Sequence, residues 1–191
     1  IKKCLGTSDV VDVSTIHERI WNIVGNQKSA LLKLHIDKLN EEIQNINSKL
    51  MGDADYKKYR ELDNQYQTKL LDILCENANA YYKAYNLKAA DFKAAMPQEI
   101  RVQFSDLLSN VLKFKGLVDK LFKRKRYLEC LSKIEKGEKE YQVVKYDAMY
   151  NRDRLDKMRI SHDTLLEYAY ILFEKYPTMR QIMIDKYPYV L

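Results

Sequence analysis

Proline and glycine are scarce in this chain of 191 residues, which contains only three prolines and five glycines. Both residues interrupt helices, and both are well below their average use, whereas Lys, Leu and Tyr are plentiful. No run approaches the roughly 18 uncharged apolar residues that a membrane-spanning helix needs, so we expect a soluble chain. The composition therefore predicts helix nearly throughout, in one domain with a sizeable core.

Cysteine and histidine are also few and scattered. The three cysteines, Cys4, Cys75 and Cys130, form no C-x-x-C pair, which excludes a zinc site and a dense disulfide framework. Counting along antiparallel helices separates Cys75 from Cys130 by more than a disulfide spans, so we expect no bridge. Neither E-x-x-H nor H-E-x-x-H nor a phosphate-binding glycine loop occurs. We therefore expect no catalytic residue, cofactor, metal ligand or small-molecule substrate, and a protein that is not an enzyme.

The clearest pattern is an apolar stripe between Pro97 and Gly137. Its members recur in alternating steps of four and three residues, which indicates the buried face of a packed helix. Pro97 suits the first helical turn, and Gly137 suits the left-handed position after the last one. This period predicts one helix of about 40 residues, whose stripe consists of Ile100, Phe104, Leu107, Val111, Phe114, Val118, Leu121 and Leu128.

The rest of the chain follows the same period. We interpret residues 1–13 as a flexible lead-in and 14–191 as a single helical-bundle domain. Thr15 with Glu18 predicts a capping box, and Gly52 followed by Asp53 predicts a helix end and the next N-cap. Short connections between long helices favour antiparallel neighbours. The predicted fold is all-α, a long antiparallel up-down-up-down four-helix bundle with mid-bundle kinks or breaks, with helices at about 14–51, 53–86 with 88–95, 97–136, 138–176 and 178–186.

Polar residues interrupt the apolar stripes at two levels of this bundle. Gln27, Asn77 and His162 fall at one height along the axis, and Lys125 and Asn151 fall at a second. Such candidate buried polar layers fix the register of helices in coiled coils. Two alternatives stay open: the residues rotate towards solvent, or the layer is a weak waist that lets the bundle open.

The sharpest charge feature is the basic run Lys123, Arg124, Lys125 and Arg126, in a chain of net charge +6. A basic run attracts anionic lipid or nucleic acid by long-range electrostatics, so these four residues are a candidate anionic-surface contact. Inside a helix they wrap around the axis rather than line one face, which also fits a simple solvated surface. We do not expect nucleic acid as the main partner.

The chain resembles the secreted sporozoite microneme proteins that malaria parasites need for cell traversal. The resemblance lies in size, a non-Met start, Lys-, Tyr-, Ile- and Asn-rich usage, and helix breaks at Gly25, Gly116 and 77–79. It implies secretion from micronemes, a role in breaching host-cell membranes, and no enzymatic activity. It transfers no functional residue to this sequence.

Two functions remain open at this point. In the first, a secreted non-enzymatic bundle acts in host-cell traversal or membrane interaction by rearranging its weakly packed polar waist. In the second, an intracellular helical scaffold or adaptor binds another protein, with nucleic-acid contact through the basic run. The corresponding partners are an anionic membrane or a host or parasite protein, and a cytoplasmic location remains open beside the secreted one.

Overall fold

The computed structural model describes residues 15–186 and shows them to be mostly helical. Two short strands, β1 (Lys145–Tyr146) and β2 (Arg159–Ile160), interrupt the helical pattern. The mainly helical character is as expected, but an up-down-up-down four-helix bundle is not confirmed. In chain order the helices are α1 (Ile16–Val24), α2 (Lys28–Gly52), α3 (Lys57–Arg60), α4 (Asn64–Glu76), α5 (Ala78–Ala84), α6 (Ala89–Ala95), α7 (Gln98–Gln103), α8 (Ser105–Leu108), α9 (Val111–Glu135), α10 (His162–Lys175) and α11 (Pro177–Lys186).

The described residues group into two compact units, each with its own buried side chains. The first unit contains residues 15–39 and 130–186, and the second contains residues 40–129. The interpretation of 14–191 as a single domain stays a prediction, and the lead-in at 1–13 lies outside the described residues.

The first unit begins with a helix that is capped as the sequence predicts. Thr15 Oγ1 accepts a hydrogen bond from the backbone N–H of Glu18, and a Glu18 carboxylate oxygen accepts one from the backbone N–H of Thr15. The predicted helix over 14–51 is divided at Gly25 into α1 and α2. A Cβ at Gly25 would lie 2.7 Å from the Trp21 carbonyl oxygen, so a larger residue here would force α1 to shift. Helix α1 then packs against α10 and α11.

The predicted helix over 138–176 is wrong in its first half. After Gly137, which has the expected positive φ of 71°, the chain forms a 3₁₀ turn and then strand β1, which pairs in parallel with β2. Met158 adopts a left-handed conformation just before β2. Helix α10 begins only at His162, because Asp153 accepts hydrogen bonds from the Ser161 N–H and the Thr164 hydroxyl. This local capping overrides the apolar period.

The second unit contains shorter helices than the period predicts. Asp53 caps a 3₁₀ turn, as expected for an N-cap, and Asp63 caps α4. The predicted helix over 53–86 therefore becomes α3, α4 and α5, with a further break at Asn77 between α4 and α5. The predicted segment over 88–95 corresponds to α6.

The predicted helix over 97–136 is also divided, into α7, α8 and α9. Phe104 leaves the helical conformation at φ −121° and ψ 28°, and Asn110 starts α9 by accepting a hydrogen bond from the Lys113 N–H. The apolar stripe is buried despite these breaks, since Ile100, Phe104 and Phe114 are almost inaccessible to solvent. Two members depart from this: Leu107 is half-buried, and Leu128 is exposed.

Three further observations concern the part of the chain that the structure describes. None of its helices combines the length and the apolar character that crossing a bilayer requires. Within it, no three His, Cys, Asp or Glu side chains come together as they would around a metal ion. Cys75 and Cys130 are both free, which confirms that these two cysteines do not form a bridge.

Candidate functional site

The polar layer that the sequence predicts is not present. Gln27 is exposed in the turn between α1 and α2, where its carbonyl oxygen accepts the first hydrogen bond of α2 from Leu31 N–H. Asn151 is exposed in the loop between β1 and β2. The prediction of burial is wrong for both residues, because each lies in a connection rather than inside a long helix.

The other members of the polar layer have local roles. His162 is half-buried at the start of α10, where its Nδ1 and the Tyr146 hydroxyl share a hydrogen bond of 2.5 Å. The His17 ring lies 4.3 Å from the His162 ring, between centroids. Asn77 is half-buried in the second unit and donates its side-chain amide to the Ile73 carbonyl at 2.9 Å. The contacts of His162 link α10 to β1 and to α1 in the first unit, and the hydrogen bond of Asn77 stays within the end of α4 in the second.

The two lysines of the basic run are paired within the second unit. Lys123 Nζ lies 2.7 Å from a carboxylate oxygen of Glu42 and 5.3 Å from the centroid of the Tyr127 ring. Burial opposes the charge of Lys123, but the hydrogen bond to Glu42 outweighs it with help from Tyr127, so the pKa is raised. An anionic surface would have to compete with this internal partner.

Lys125 also has partners within the second unit. Its Nζ donates to Cys75 Sγ at 3.1 Å and lies 3.8 Å from a carboxylate oxygen of Glu129. The hydrogen bond to Cys75 is the main reason why the pKa of Lys125 is raised. Arg126 is exposed. The run therefore surrounds α9, and its charges do not form one open basic patch.

Arg124 differs from its neighbours in the run. It is half-buried, and its Nε is shielded from solvent without a hydrogen-bond partner among the described residues. An unsatisfied buried donor costs on the order of 1–3 kcal/mol, so such groups call for a partner. The charge of Arg124 also affects Tyr59. Burial raises the pKa of the Tyr59 hydroxyl, and the positive charge of Arg124 partly offsets that rise.

A groove of about 350 Å³ lies beside Arg124. We call it the Arg124 groove. One wall comes from α3 and α4 with the turn between them, and the other comes from α9. It combines apolar surface, amide and hydroxyl groups, one guanidinium group, one ammonium group and one carboxylate group. Its lining consists of Tyr59, Asn64, Gln67, Thr68, Leu71, Leu121, Arg124, Lys125, Leu128 and Glu129.

Several polar groups of the Arg124 groove already have partners. The Gln67 amide donates to the carbonyls of Tyr59 at 3.2 Å and Leu62 at 3.0 Å. The Thr68 hydroxyl donates to the Asn64 carbonyl at 2.8 Å. The arrangement can therefore orient an anionic group towards Arg124, while the leucines contact apolar atoms next to that group. Sequence reasoning singled out Arg124 but missed Gln67 and Thr68, because nothing local marks the wall of a groove.

The first unit offers a second surface of interest on its last two described helices. Helix α10 buries Leu165, Tyr168 and Leu172, yet it also exposes large apolar side chains on its other sides, and α11 does the same. Tyr170, for example, is 68% exposed. We use the name apolar face of α10–α11 for the exposed side chains Leu166, Tyr170, Ile171, Tyr176, Ile182 and Ile184, among which Leu166 and Tyr170 lie one helical turn apart. Several exposed large apolar side chains on two consecutive helices are typical of surfaces that contact another protein.

Comparison with known proteins gives one informative result. No family model matches the chain, and no solved structure matches it. The chain is similar to the Gabija protein GajB of Bacillus cereus (strain HuB5-5), at 37% identity over 190 residues. The match covers the whole of this chain but 28% of the relative, so the chain spans little more than a quarter of that protein's length.

This similarity corrects the resemblance drawn from composition. A bacterial relative that aligns along the entire chain contradicts the identification as a malaria-parasite microneme protein. The expectations of micronemal secretion, host-cell traversal and membrane breaching rested on that identification and are wrong with it. Size, residue usage and helix breaks are properties that many unrelated helical proteins share, whereas identity at 37% over 190 residues is not.

Proposed function

We propose that this chain is a non-enzymatic helical scaffold inside the cell that binds another protein surface, as one part of a longer GajB-like protein. The observation that carries the proposal is the apolar face of α10–α11. Its partner is the remainder of the GajB-like polypeptide, since the matched relative is more than three times as long as this chain. The function that we propose for the chain is thus that of a Gabija protein of the GajB kind.

The charges around this face favour a protein partner over an anionic membrane. Helices α10 and α11 together expose four acidic residues, Asp163, Glu167, Glu174 and Asp185, and three basic residues, Lys175, Arg180 and Lys186. Such a mixed surface has no excess of basic residues that would attract anionic lipid headgroups or phosphates. A polar rim around an apolar centre is instead the usual composition of a protein–protein interface.

Two groups that could act as nucleophile or base, Cys130 and His35, are engaged in packing, which supports a binding role. Cys130 is buried against the Leu155 carbonyl and Met158, and burial together with Asp156 raises its pKa to about 11. A thiol with such a pKa is almost wholly protonated at neutral pH and is a poor nucleophile. His35 is fully buried on the same carbonyl.

The proposal is tested with a chimera in which this chain replaces the matched residues of the Bacillus cereus GajB. Hydrogen exchange of α10 and α11 is measured in the chimera and in the isolated chain. We expect exchange at least ten-fold slower in the chimera, because a covered helix opens less often. The double substitution Leu166→Glu with Tyr170→Glu should abolish the extra protection. A control, Val102→Glu with Leu112→Glu, changes two exposed apolar residues of the second unit and should leave the extra protection intact.

Equal exchange in the chimera and the isolated chain would overturn the proposal. So would a concentration-dependent dimer of the isolated chain that the Leu166→Glu and Tyr170→Glu pair dissolves, since the face would then bind a second copy. If the chimera does not fold, the same measurement on unmodified GajB decides the matter: the segment aligned with α10 should exchange slowly there.

A further inference from the structure

Two nucleophilic side chains from different helices are in contact in the second unit. Lys125 Nζ on α9 donates a hydrogen bond of 3.1 Å to Cys75 Sγ on α4, and the two residues are 50 positions apart in the chain. Cys75 is half-buried, and the side chain of Lys125 is 39% exposed, so a small solute can reach the pair from solvent. An ammonium group beside a cysteine favours the thiolate, which is the reactive form of the sulfur.

The other described cysteine has the opposite surroundings. Cys130 is buried in the first unit, where its Sγ lies 3.6 Å from the Leu155 carbonyl oxygen and 3.7 Å from Met158 Sδ. Burial and the charge of Asp156 raise the pKa of Cys130 to about 11, which keeps the thiol protonated at neutral pH. Of the two cysteines that the structure describes, Cys75 is therefore the one that an oxidant in solvent can attack.

We propose that Cys75 is oxidised by hydrogen peroxide, and that Lys125 captures the oxidised sulfur in a covalent S–N cross-link between α4 and α9. A cysteine sulfenic acid condenses with a backbone nitrogen to form such a bond. The nitrogen in contact with Cys75 is the amine of Lys125, whose long, flexible side chain can move the short distance to the sulfur. The inference concerns the second unit and goes beyond the function proposed for the apolar face of α10–α11.

The chemistry takes place in two steps. In the first, the Cys75 thiolate attacks one oxygen of hydrogen peroxide, so that an S–O bond forms and the O–O bond breaks. The sulfur loses two electrons to the peroxide, whose second oxygen leaves as hydroxide and becomes water with the thiol proton. In the second, Lys125 releases its ammonium proton to solvent and attacks the sulfur. An S–N bond forms, the S–O bond breaks, and the departing hydroxide becomes water with one of the two remaining amine protons.

The charges around Lys125 determine the order in which the products appear. The hydrogen bond to Cys75 is the main reason why the pKa of Lys125 is raised, and the carboxylates of Glu129 and Asp72 add to this rise while burial opposes it. The ammonium form is therefore present in the first step, where its charge stabilises the thiolate. The neutral amine that the second step needs is scarce at neutral pH. The sulfenic acid should accumulate first, and the cross-link should follow.

The experiment treats the Cys4→Ser chain with hydrogen peroxide, so that Cys75 and Cys130 are the cysteines present, and follows the products by mass spectrometry. Dimedone, which reacts with sulfenic acids, should label Cys75 about ten-fold faster than Cys130 or more. Without dimedone, the chain should finally lose two hydrogens, and its digest should contain the peptides of Cys75 and Lys125 joined. A thiol reductant should separate them, because it reduces the S–N bond.

Substitutions of Lys125 separate its two roles in this reaction. Lys125→Arg keeps the cation, but a guanidinium does not lose its proton, so oxidation should stop at the dimedone-reactive sulfenic acid. Lys125→Met removes the cation as well and should slow the labelling of Cys75 about ten-fold. Cys130→Ser is the control and should form the cross-link at the rate of the parent. Cys75→Ser should form neither product.

Three outcomes would overturn the inference. Equal labelling of Cys75 and Cys130 would show that the surroundings of Cys75 do not promote its oxidation. A sulfenic acid at Cys75 that proceeds to sulfinic acid or to a disulfide, with no joined peptide, would show that Lys125 does not capture the sulfur. Joined peptides in Lys125→Arg would place the S–N bond on another nitrogen. If Lys125→Met does not fold by circular dichroism, the parent and Lys125→Arg decide.

Discussion

His35 illustrates how one buried side chain makes stability depend on pH. It is fully buried in the first unit, and because the Leu155 carbonyl can only accept, Nε2–H must donate at 3.0 Å. Nδ1 then has no hydrogen-bond partner among the described residues. Burial lowers the pKa of His35 below its ordinary 6.5, although the bond to Leu155 and the charge of Asp153 oppose that shift.

The first prediction follows from that lowered pKa. Below pH 6.5 the unfolded chain binds a proton at His35 that the folded chain does not bind until its lower pKa is reached, so stability falls as the pH falls. The decrease in the free energy of unfolding that His35 causes approaches about 1.4 kcal/mol per pH unit. His35→Gln retains an amide donor for Leu155 but does not titrate, and it should show a shallower decline. Urea unfolding at pH 7, 6 and 5 measures both slopes, and equal slopes would contradict the assignment.

Two glycines provide a second, paired prediction. Gly25→Ala places a Cβ 2.7 Å from the Trp21 carbonyl oxygen and 3.0 Å from the Trp21 ring, so α1 must shift or separate from the turn. Overpacking of this kind costs about 1–3 kcal/mol. Gly52→Ala, at the end of α2, meets no atom within 4 Å and should be neutral or slightly stabilising. Thermal unfolding of both variants checks the pair, and equal melting temperatures would contradict it.

At the level of single helices, the start of α10 depends on one carboxylate. Asp153 Oδ1 accepts from the Ser161 N–H at 2.7 Å, and Oδ2 accepts from the Thr164 hydroxyl at 2.6 Å. Ser161 occupies the N-cap position but makes no capping bond with its own side chain. Asp153, eight positions before Ser161, therefore takes the role of the N-cap side chain. Its two hydrogen bonds connect the loop after β1 to the start of α10.

The third prediction concerns this cap. Asp153→Ala removes both acceptors and should lower the free energy of unfolding by about 1–2 kcal/mol, the usual effect of losing an N-cap. Asp163→Ala is the matched control, since Asp163 is an exposed acidic residue in the first turn of the same helix. Asp163→Ala should lower the free energy of unfolding by only about 0.3–1 kcal/mol, the usual size of a helix-dipole contribution. Denaturant unfolding that ranks the two variants in reverse would contradict the role of Asp153.

The divided helices show what an apolar period does and does not predict. The stripe from Ile100 to Leu121 is buried as expected, although α7, α8 and α9 replace the single predicted helix. Burial depends on which side chains repeat on one face, and a short break preserves that repeat. Helix ends depend on competing hydrogen bonds such as those of Asn77 and Asn110, which a period does not register.

For the molecule as a whole, the net positive charge is divided evenly between the two units. Residues 40–129 contain 16 Lys and Arg against 13 Asp and Glu, and the described remainder contains 15 against 12. Each unit thus has a net charge of +3, half of the total of +6. Within the basic run, Lys123 and Lys125 are paired with carboxylates. Such a distribution favours solubility over tight binding of a polyanion.

The fourth prediction tests this consequence. The isolated chain should bind the oligonucleotide (dT)12 only weakly, and its affinity should fall at least ten-fold between 50 and 200 mM salt, because nonspecific contacts act through counterion release. Lys123→Gln should change that affinity less than two-fold, since Lys123 is already paired with Glu42. Fluorescence anisotropy measures both effects. Submicromolar binding that survives 200 mM salt would show instead that the surface is built for nucleic acid.

Features that depend on neighbours within about four residues can be predicted from the amino-acid sequence alone. These include the mainly helical character, the Thr15–Glu18 capping box, the N-cap at Asp53 and the left-handed Gly137. The composition resemblance failed, because residue usage does not encode descent, whereas position-by-position similarity to GajB does.

Contacts between residues far apart in the chain become apparent only in the folded molecule. Lys123 and Glu42 are separated by 81 residues, and Lys125 and Cys75 by 50, so no local signal links them. The parallel pairing of β1 with β2 and the late start of α10 replaced a helix that the period predicted. The buried Nε of Arg124 likewise depends on how α4 approaches α9. Packing between elements decides which side chains find partners, and a sequence pattern on one element does not contain that information.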